Sequence, residues 1–296
     1  MKTTNQILTL LGAVLSLLVT IGSTDSAAAQ AGQDLPILFV APVKNIKQVL
    51  SMNADGTDLK QLTRGRADAY SPSRSPDYRY IAFVRGGMLM VMEAKGEPRA
   101  RVFAVCPSAA GPGHDWSPDG SSIVFCGSSV LGRGLWKVSV NPDSGKVGTP
   151  ELVRAGGCVG PSWSPDGTKI AFASGGVVSV LDLVSGEEIS FGCWSSNYPT
   201  WNAIGDKIAF GGVVCYNTPE GVKCYYEICI ADPDLTGCTP VTSLKSFSMF
   251  PTWSPDGTQL VFHSRVSGSI SLYKTTIGSG TVTLLYPGGD LPSWAP

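Results

Sequence analysis

One phrase recurs six times in this chain, at a spacing of roughly 40 residues. It reads Pro-x-Trp-Ser-Pro-Asp-Gly-x-x-Ile-Ala-Phe, and the copies that open at Pro161 and Pro251 are nearly intact. The six copies begin, in chain order, at Pro72, His114, Pro161, Pro199, Pro251 and Pro292. A repeat of this length with one hairpin signal per unit is typical of a radial array of β-sheets.

Each copy predicts a strand, a tight turn and a second strand. In Ser-Pro-Asp-Gly, proline presets the first turn position, and glycine takes the left-handed conformation that closes a three-residue hairpin loop. Ile-x-Phe then places two apolar side chains on one face of the next strand. Tyr78 replaces the glycine in one copy, at a cost of about 1 kcal/mol if that site stays left-handed. Two more strand-like runs follow, so each unit has four strands, A to D, as in a propeller blade.

The two ends of the chain complement each other. Ile37-Leu38-Phe39 matches strand B without a preceding strand A, and the segments 49–52 and 59–62 follow as strands C and D. Trp294 lies on a strand A that has no partner strands after it. We therefore predict an all-β fold: a six-bladed β-propeller of four-stranded antiparallel blades, closed by one C-terminal plus three N-terminal strands.

These motifs resemble the WD40-like repeats of the TolB-type propeller family. The matching elements are Trp-Ser-Pro-Asp-Gly with Ile-Ala-Phe, and residues 49–56 with Gln61-Leu62-Thr63. The resemblance covers residues 35–296 and implies a six-bladed β-propeller outside the cytoplasm. TolB itself carries an α/β domain before its propeller, whereas these repeats begin soon after an apolar N-terminal segment, so the envelope role of TolB is not carried over. For the repeat residues, the resemblance therefore implies a structural role and no functional site.

The N-terminal residues predict export. Lys2, an apolar run from Ile7 to Ile21 and the small residues 27–31 are typical of a signal peptide over residues 1–31, leaving the propeller domain at 32–296. A retained N-terminal anchor is the alternative; otherwise no stable membrane span is expected after cleavage. The predicted location is secreted or periplasmic. A net charge of −1 without a basic run argues against nucleic acid as a partner.

Eight cysteines follow the signal segment, and an even number in an exported chain indicates disulfides. Cys215 with Cys224, and Cys229 with Cys238, bracket two short segments of one blade and are predicted to bridge adjacent strands. For the other four we expect Cys106–Cys126 and Cys158–Cys193, although four cysteines allow three pairings. Buried thiols are the alternative reading for some of them.

Motifs for catalysis are absent from the sequence: it contains no Gly-x-Ser-x-Gly, His-Glu-x-x-His or Gly-x-x-x-x-Gly-Lys. We therefore assign no catalytic residue and expect no metal or cofactor. His263, on a strand B, is read as structural. His114 replaces the proline that opens strand A, beside Asp115; the pair is either polar lining of the channel or an acid–base pair. The turn aspartates are read as local caps of their own backbone.

The two faces of the predicted propeller differ in variety. The A–B turns repeat one compact form, whereas the B–C loops and D-to-A connections on the other face vary in length and composition, and variable loops on a rigid scaffold are where binding usually resides. Residues just before each strand A are expected to ring the channel mouth on this face. The candidate ligand-binding residues are Tyr70, His114, Asp115, Asn197, Tyr198, Met249, Phe250 and Asp290.

The predicted function is that of an exported, non-catalytic binding module, expected to be a monomer. Its ligand would be a protein, a peptide or a cell-envelope glycan. The alternative is a secreted hydrolase or lyase with its site at the channel mouth. The scarcity of histidine favours binding, but propellers host both classes.

Overall fold

Six antiparallel sheets make up the structure, a computed structural model that describes residues 35–98, 101–107, 113–129, 132–190 and 197–294. The described residues form strands and no helix, and none of them belongs to a helix able to cross a membrane. The predicted all-β, six-bladed propeller of four-stranded antiparallel blades is confirmed. The predicted signal peptide, residues 1–31, lies outside the described residues.

Four blades are each built from consecutive strands. Blade 1 contains β4 (Ala69–Arg74), β5 (Tyr80–Arg85), β6 (Met88–Glu93) and β7 (Val102–Pro107). Blade 3 contains β13 (Val159–Trp163), β14 (Lys169–Ser174), β15 (Val177–Asp182) and β16 (Glu188–Ser190). Blade 4 contains β17 (Asn197–Trp201), β18 (Ile208–Thr218), β19 (Gly221–Ala231) and β20 (Thr239–Pro240). Blade 5 contains β21 (Ser248–Trp253), β22 (Gln259–Ser264), β23 (Ser271–Thr276) and β24 (Val282–Pro287).

The remaining two blades depart from this pattern. In blade 2 the outer strand is split, and both parts pair with the third strand: β8 (His114–Trp116), β9 (Ser122–Ser129), β10 (Gly132–Asn141), β11 (Lys146–Val147) and β12 (Glu151–Ala155). Blade 6 joins strands from both ends of the chain, in the order β25 (Asp290–Ser293), β1 (Ile37–Val43), β2 (Ile46–Met52) and β3 (Lys60–Gln61). The ring therefore closes with one C-terminal and three N-terminal strands.

The turn between strands A and B owes its shape to the repeated residues. In blade 3 the Gly167 N–H donates to the Ser164 carbonyl at 2.9 Å, and Gly167 is left-handed with φ of 73°. The Asp166 carboxylate accepts the Thr168 N–H at 3.0 Å, and the Ser164 hydroxyl donates to it as well. Tyr78, which replaces the glycine in blade 1, is also left-handed, with φ of 62°. The turn therefore keeps its left-handed backbone conformation where tyrosine replaces the glycine.

The core consists of six apolar clusters, one at each interface between neighbouring blades. Strand B is buried on both faces, since Ile170, Ala171 and Phe172 are all 0% exposed. Five clusters contain the tryptophan of strand A. The cluster between blades 6 and 1 contains none, because Arg74 stands at that position. Each blade is thus stabilised by burial against both neighbours.

Two disulfides are present among the described residues. Cys215–Cys224 joins directly opposed residues of β18 and β19, with Cα atoms 4.0 Å apart, as predicted. The second is Cys126–Cys158, so the predicted Cys106–Cys126 and Cys158–Cys193 pairings are wrong. Alternation along β9 explains the difference: Ile123 and Phe125 pack towards blade 1, whereas Cys126 packs towards blade 3. Cys193 lies outside the described residues.

The predicted Cys229–Cys238 bridge is also wrong. Cys229 is a free thiol that is only 2% exposed. It packs in the cluster between blades 3 and 4, and Cys238 packs against the same cluster. A small buried thiol serves here as an apolar side chain.

Peptide mapping of the unreduced protein is expected to find Cys126 linked to Cys158 and Cys215 linked to Cys224. Cys229 should react with an alkylating reagent only after unfolding, because it is buried. Replacing Cys126 and Cys158 together by serine should lower the free energy of unfolding by about 3–4 kcal/mol, and the Cys215/Cys224 pair by about 2–3 kcal/mol, since the first bridge closes the longer loop. A peptide linking Cys106 to Cys126 would contradict the assignment.

Candidate functional site

The six inner strands surround a central cavity of ≈ 450 Å³. This volume lies within the range of about 300–1,000 Å³ that is typical of ligand sites. Prolines and tryptophans of the repeated phrase are 13 of the 30 described residues that line it, because every blade places that phrase on its inner strand. Two charged residues, Arg74 and Asp115, are among the described residues that line it.

A ring of left-handed residues lies at one level of this cavity. The residue before the first position of the phrase has a positive φ in all six blades: Ser71 (50°), Gly113 (124°), Gly160 (58°), Tyr198 (54°), Phe250 (55°) and Leu291 (47°). Strand pairing shifts register at this point in most blades. A left-handed non-glycine residue costs about 1–2 kcal/mol, and such strain is concentrated at functional sites. All six residues line the cavity, and the four that are not glycine do so at an energetic cost.

Glycine at this level makes room for an aromatic side chain. A Cβ atom on Gly160 would lie 2.8 Å from both Cα and Cδ1 of Tyr198, so only glycine permits this approach. The Tyr198 ring lies against the Phe250 ring of the next blade, with centroids 3.9 Å apart. Burial raises the pKa of Tyr198, and the Asp290 carboxylate adds to the shift. Tyr198 and Phe250 together line one side of the cavity.

Further aromatic contacts continue outward from Phe250. His263 lies edge-on to Phe250 at 4.8 Å, Phe247 lies 5.8 Å from His263, and Tyr226 lies 5.4 Å from Phe247. We refer to Tyr198, Phe250, His263, Phe247 and Tyr226 as the aromatic row. It runs from the cavity across blades 4 and 5 to the β18–β19 hairpin, whose strands of 11 residues exceed the six residues of β22 and β23.

Two acidic residues hold the aromatic row in place. Asp290 Oδ1 lies 2.6 Å from His263 Nδ1, and Lys47 approaches its other oxygen at 3.4 Å. Burial alone would raise the pKa of Asp290. The hydrogen bond and charge of His263, together with Lys47 and the Leu291 N–H, outweigh that effect, so the pKa lies below its usual value. His263 is 3% exposed and its Nε2 has no hydrogen-bond partner.

The second acidic residue, Glu227, is 0% exposed. Its carboxylate accepts hydrogen bonds from the Thr242 hydroxyl at 2.6 Å and from the N–H groups of Leu244 and Lys245 at 3.0 and 2.6 Å. Glu227 thereby fixes the connection that leads from β20 to Phe247. The position of Phe247 in the aromatic row thus depends on Glu227, a buried carboxylate of the β18–β19 hairpin.

Asp115 takes the place of a hydroxyl residue that joins neighbouring blades. In blades 3 and 5 the residue before the tryptophan is Ser162 or Thr252, and its hydroxyl accepts the N–H of the next blade's tryptophan. Asp115 Oδ2 accepts the Trp163 N–H in the same way, at 2.8 Å. Burial raises the pKa of Asp115 to about 7 against the hydrogen bonds it accepts. The primary role of Asp115 in this geometry is to join blades 2 and 3.

His114 is 7% exposed, and neither of its ring nitrogens completes a hydrogen bond. Burial lowers its pKa to about 4, although the backbone of Ala82 in blade 1 favours the protonated form. The ring is therefore neutral near pH 7. The His114 ring lies near the backbone of blade 1 and Asp115 bonds blade 3, with no hydrogen bond between the two side chains, so the structure does not form the acid–base pair considered from the sequence.

Four of the eight predicted site residues line the cavity: His114, Asp115, Tyr198 and Phe250. Asp290 reaches the aromatic row through His263 instead. Tyr70, Met249 and Asn197 are not among the lining residues. Tyr70 packs against the core between blades 1 and 2, Met249 packs on Gly211 of blade 4, and Asn197 pairs with Gly211 at the start of β17. The bulge carries these residues towards the blades and the next residue towards the channel.

Sequence reasoning missed the polar residues of blade 1. Ser71, Ser73 and Arg74 line the cavity, and each has a buried side-chain atom that makes no hydrogen bond to a described residue. The one signal in the sequence was Arg74, which stands where the other five copies have tryptophan. His263 was read as structural and is now part of the aromatic row.

Solved structures with a similar fold include two TolB proteins. TolB from Acinetobacter baumannii superimposes with a TM-score of 0.70 at 20% identity, over 90% of this chain and 67% of that chain. The chain has the TolB-type propeller fold. A putative TolB from Agrobacterium tumefaciens gives a TM-score of 0.66 at 18% identity, over 86% and 91% of the two chains.

The fold of this chain is also similar to that of an enzyme. An oligogalacturonate lyase in complex with manganese gives a TM-score of 0.56 at 16% identity, over 85% of this chain and 88% of that chain. No family model and no curated protein matches the sequence. Within the described ranges, no group of three or more His, Cys, Asp or Glu residues is placed to hold a metal ion. At these identities the likeness concerns the fold.

Proposed function

We propose that this propeller is an exported, non-catalytic binding module whose ligand contacts the channel mouth and the aromatic row. The observation that carries the proposal is the row itself: five rings in contact, from the cavity to the β18–β19 hairpin. Aromatic side chains provide large contact areas at a low cost in conformational entropy. The ligand is a protein, a peptide or a cell-envelope glycan.

Fixed geometry supports binding at this place. Phe250 is held by a strained backbone, His263 by Asp290, and Phe247 by the connection that Glu227 anchors. Rings that are positioned before the ligand arrives lose little freedom on binding, which favours affinity. Phe247 is 36% exposed, so the outer part of the row is accessible.

Export is part of the proposal. Two disulfides are characteristic of proteins that fold outside the reducing cytoplasm, and the N-terminal segment has the features of a signal peptide. We place the protein in the periplasm or outside the cell, acting as a monomer. The net charge of −1 favours a partner other than nucleic acid.

Replacing Tyr198 and Phe250 by alanine should weaken ligand binding by more than about 1 kcal/mol each, because each substitution removes an aromatic contact at the mouth. Immobilised protein would be probed in parallel with peptide and glycan libraries and with envelope extract, and retained ligands would be titrated against each variant. Alanine fits either left-handed site no worse than the native side chain does, so backbone strain stays unchanged.

The matched control changes the opposite face. Asp119→Ala and Asp166→Ala remove hydrogen bonds within the A–B turns and should cost stability while sparing binding. If the turn variants lose binding while still folded, and the Tyr198 and Phe250 variants retain it, the proposed face is wrong.

A lyase or hydrolase is the second candidate function. The His263–Asp290 contact of 2.6 Å at the mouth and the fold shared with an oligogalacturonate lyase favour it. Incubation with acidic oligosaccharides, followed by absorbance of unsaturated products, tests for elimination. Product formation that is lost in His263→Gln and in Asp290→Asn would replace the binding proposal with an enzymatic one.

A further inference from the structure

Unpartnered polar groups are concentrated on one side of the central cavity. Ser71 Oγ, Ser73 Oγ, Arg74 Nε and both ring nitrogens of His114 are buried and lack a well-formed hydrogen bond to any described residue, although the His114 ring lies near the Ala82 backbone. All four residues line the cavity, and all belong to the inner strands of blades 1 and 2. Each such buried group costs about 1–3 kcal/mol if it stays unpaired. A cluster of them facing one cavity therefore indicates a ligand that supplies the missing partners.

The four residues are near one another in the fold. Ser71, Ser73 and Arg74 fall within four consecutive residues of β4, a span on the order of 10 Å. His114 holds the position of blade 2 that is equivalent to Pro72 of blade 1. Its ring lies near the backbone of Ala82, and Ala82 is the strand partner of Ser73. The four residues are thus close enough together to contact one small ligand.

Arg74 gives this cluster its charge. It is 8% exposed and makes no ion pair with a carboxylate of any described residue. Burial lowers its pKa, which reflects the cost of keeping a cation there. Asp115, the acidic residue among the described lining residues, points to blade 3 and bonds Trp163. Within the described part of the chain, no carboxylate is therefore paired with this guanidinium.

Arg74 also stands where the fold would prefer a different side chain. Five blade interfaces bury a tryptophan at this position, and the interface between blades 6 and 1 does not. A buried unpaired cation in place of a buried indole lowers stability. Stability given up at a cavity wall is expected where the replaced residue serves binding.

We propose that the central cavity binds a small organic monocarboxylate, with its carboxylate on Arg74, further polar contacts from Ser71, Ser73 and His114, and its neutral body against the proline and tryptophan wall. Arg74 is the one cation among the described lining residues, and Asp115 on the same cavity can carry a negative charge, so the wall balances a monoanion rather than a dianion. A planar guanidinium also matches a carboxylate in a two-point contact. The carboxylate contacts belong to blades 1 and 2, whereas the aromatic row meets the same cavity at Tyr198 and Phe250 of blades 4 and 5, so different variants test the two assignments.

Calorimetric titration of the whole protein at constant ionic strength tests the assignment. The probes are phenylacetate and gluconate, their neutral counterparts phenylacetamide and glucose, and inorganic phosphate. We expect saturable binding at one site for at least one monocarboxylate, with the neutral counterpart at least about tenfold weaker, as the loss of a charge-assisted contact predicts. Binding should also raise the melting temperature.

Variants separate recognition from folding. Arg74→Gln should lower the affinity at least about tenfold, whereas Arg133→Gln, which changes an exposed arginine of β10, should leave it unchanged. Arg74→Trp introduces the side chain found in the other blades; it should fold, melt at a higher temperature and lose carboxylate binding. A folded Arg74→Trp variant that still binds, equal binding of the neutral probes, tighter binding of phosphate, or no saturable binding up to about 10 mM would overturn the proposal.

Discussion

Replacing Trp294 by alanine is expected to lower the free energy of unfolding by about 3–5 kcal/mol. The side chain is 4% exposed and packs in the cluster between blades 5 and 6. Its indole N–H donates to the Leu35 carbonyl at 3.1 Å, and its backbone N–H donates to the Thr252 hydroxyl at 2.9 Å. One residue therefore connects the C-terminal strand to both the N-terminal strands and blade 5.

Chemical denaturation measures this effect, with Ile204→Ala as the control. Ile204 is 72% exposed in an A–B turn, so its truncation should change stability by no more than about 0.5 kcal/mol. Hydrogen exchange should show the Trp294 variant opening first in β25 and β1, where the ring closes. A Trp294 variant as stable as the Ile204 variant would mean that the C-terminal strand does not close the propeller.

Replacing Glu227 by alanine should cost about 2–4 kcal/mol, because a buried hydroxyl and two backbone N–H groups lose their acceptor together. Exchange of the Leu244 and Lys245 amide hydrogens should become faster. Ligand binding at the mouth should weaken as well, since this connection leads to Phe247.

Two variants calibrate the Glu227 result. Glu220→Ala changes an exposed residue at the tip of the same hairpin, where the ion pair with Lys223 contributes little, and should be nearly neutral. Glu227→Gln keeps an acceptor oxygen and copies blade 6, where Gln48 accepts the Thr63 hydroxyl at 2.8 Å. It should therefore lose less than the alanine variant. An alanine variant no less stable than Glu220→Ala would show that the carboxylate does not organise this connection.

The repeated phrase was sufficient to predict the fold, because its information is local. Proline, aspartate and glycine define a turn within a few residues, and Ile-x-Phe defines a buried strand face by alternation alone. Trp294 without partner strands and Ile37-Leu38-Phe39 without a strand A predicted how the ring closes. The Cys215–Cys224 bridge was predictable for the same reason, since both residues belong to one hairpin.

The contacts between residues of different blades were determined only by the tertiary structure. Cys126 bonds Cys158 rather than Cys106 because alternation along β9 turns its side chain towards blade 3. The sequence shows where strand A begins but not the left-handed bulge, which sends Tyr198 and Phe250 to the channel and Met249 into the blades.

The candidate sites follow the same division. Arg74 was visible in the sequence as a broken repeat, yet its meaning depends on the unpartnered groups of Ser71, Ser73 and His114 around one cavity. Likewise, Asp290 was predicted at the mouth, whereas its contact with His263 was not. Local residue order determines turns, strands and the number of blades; contacts between residues from different blades exist only once six blades pack around a common axis, and those contacts form both sites.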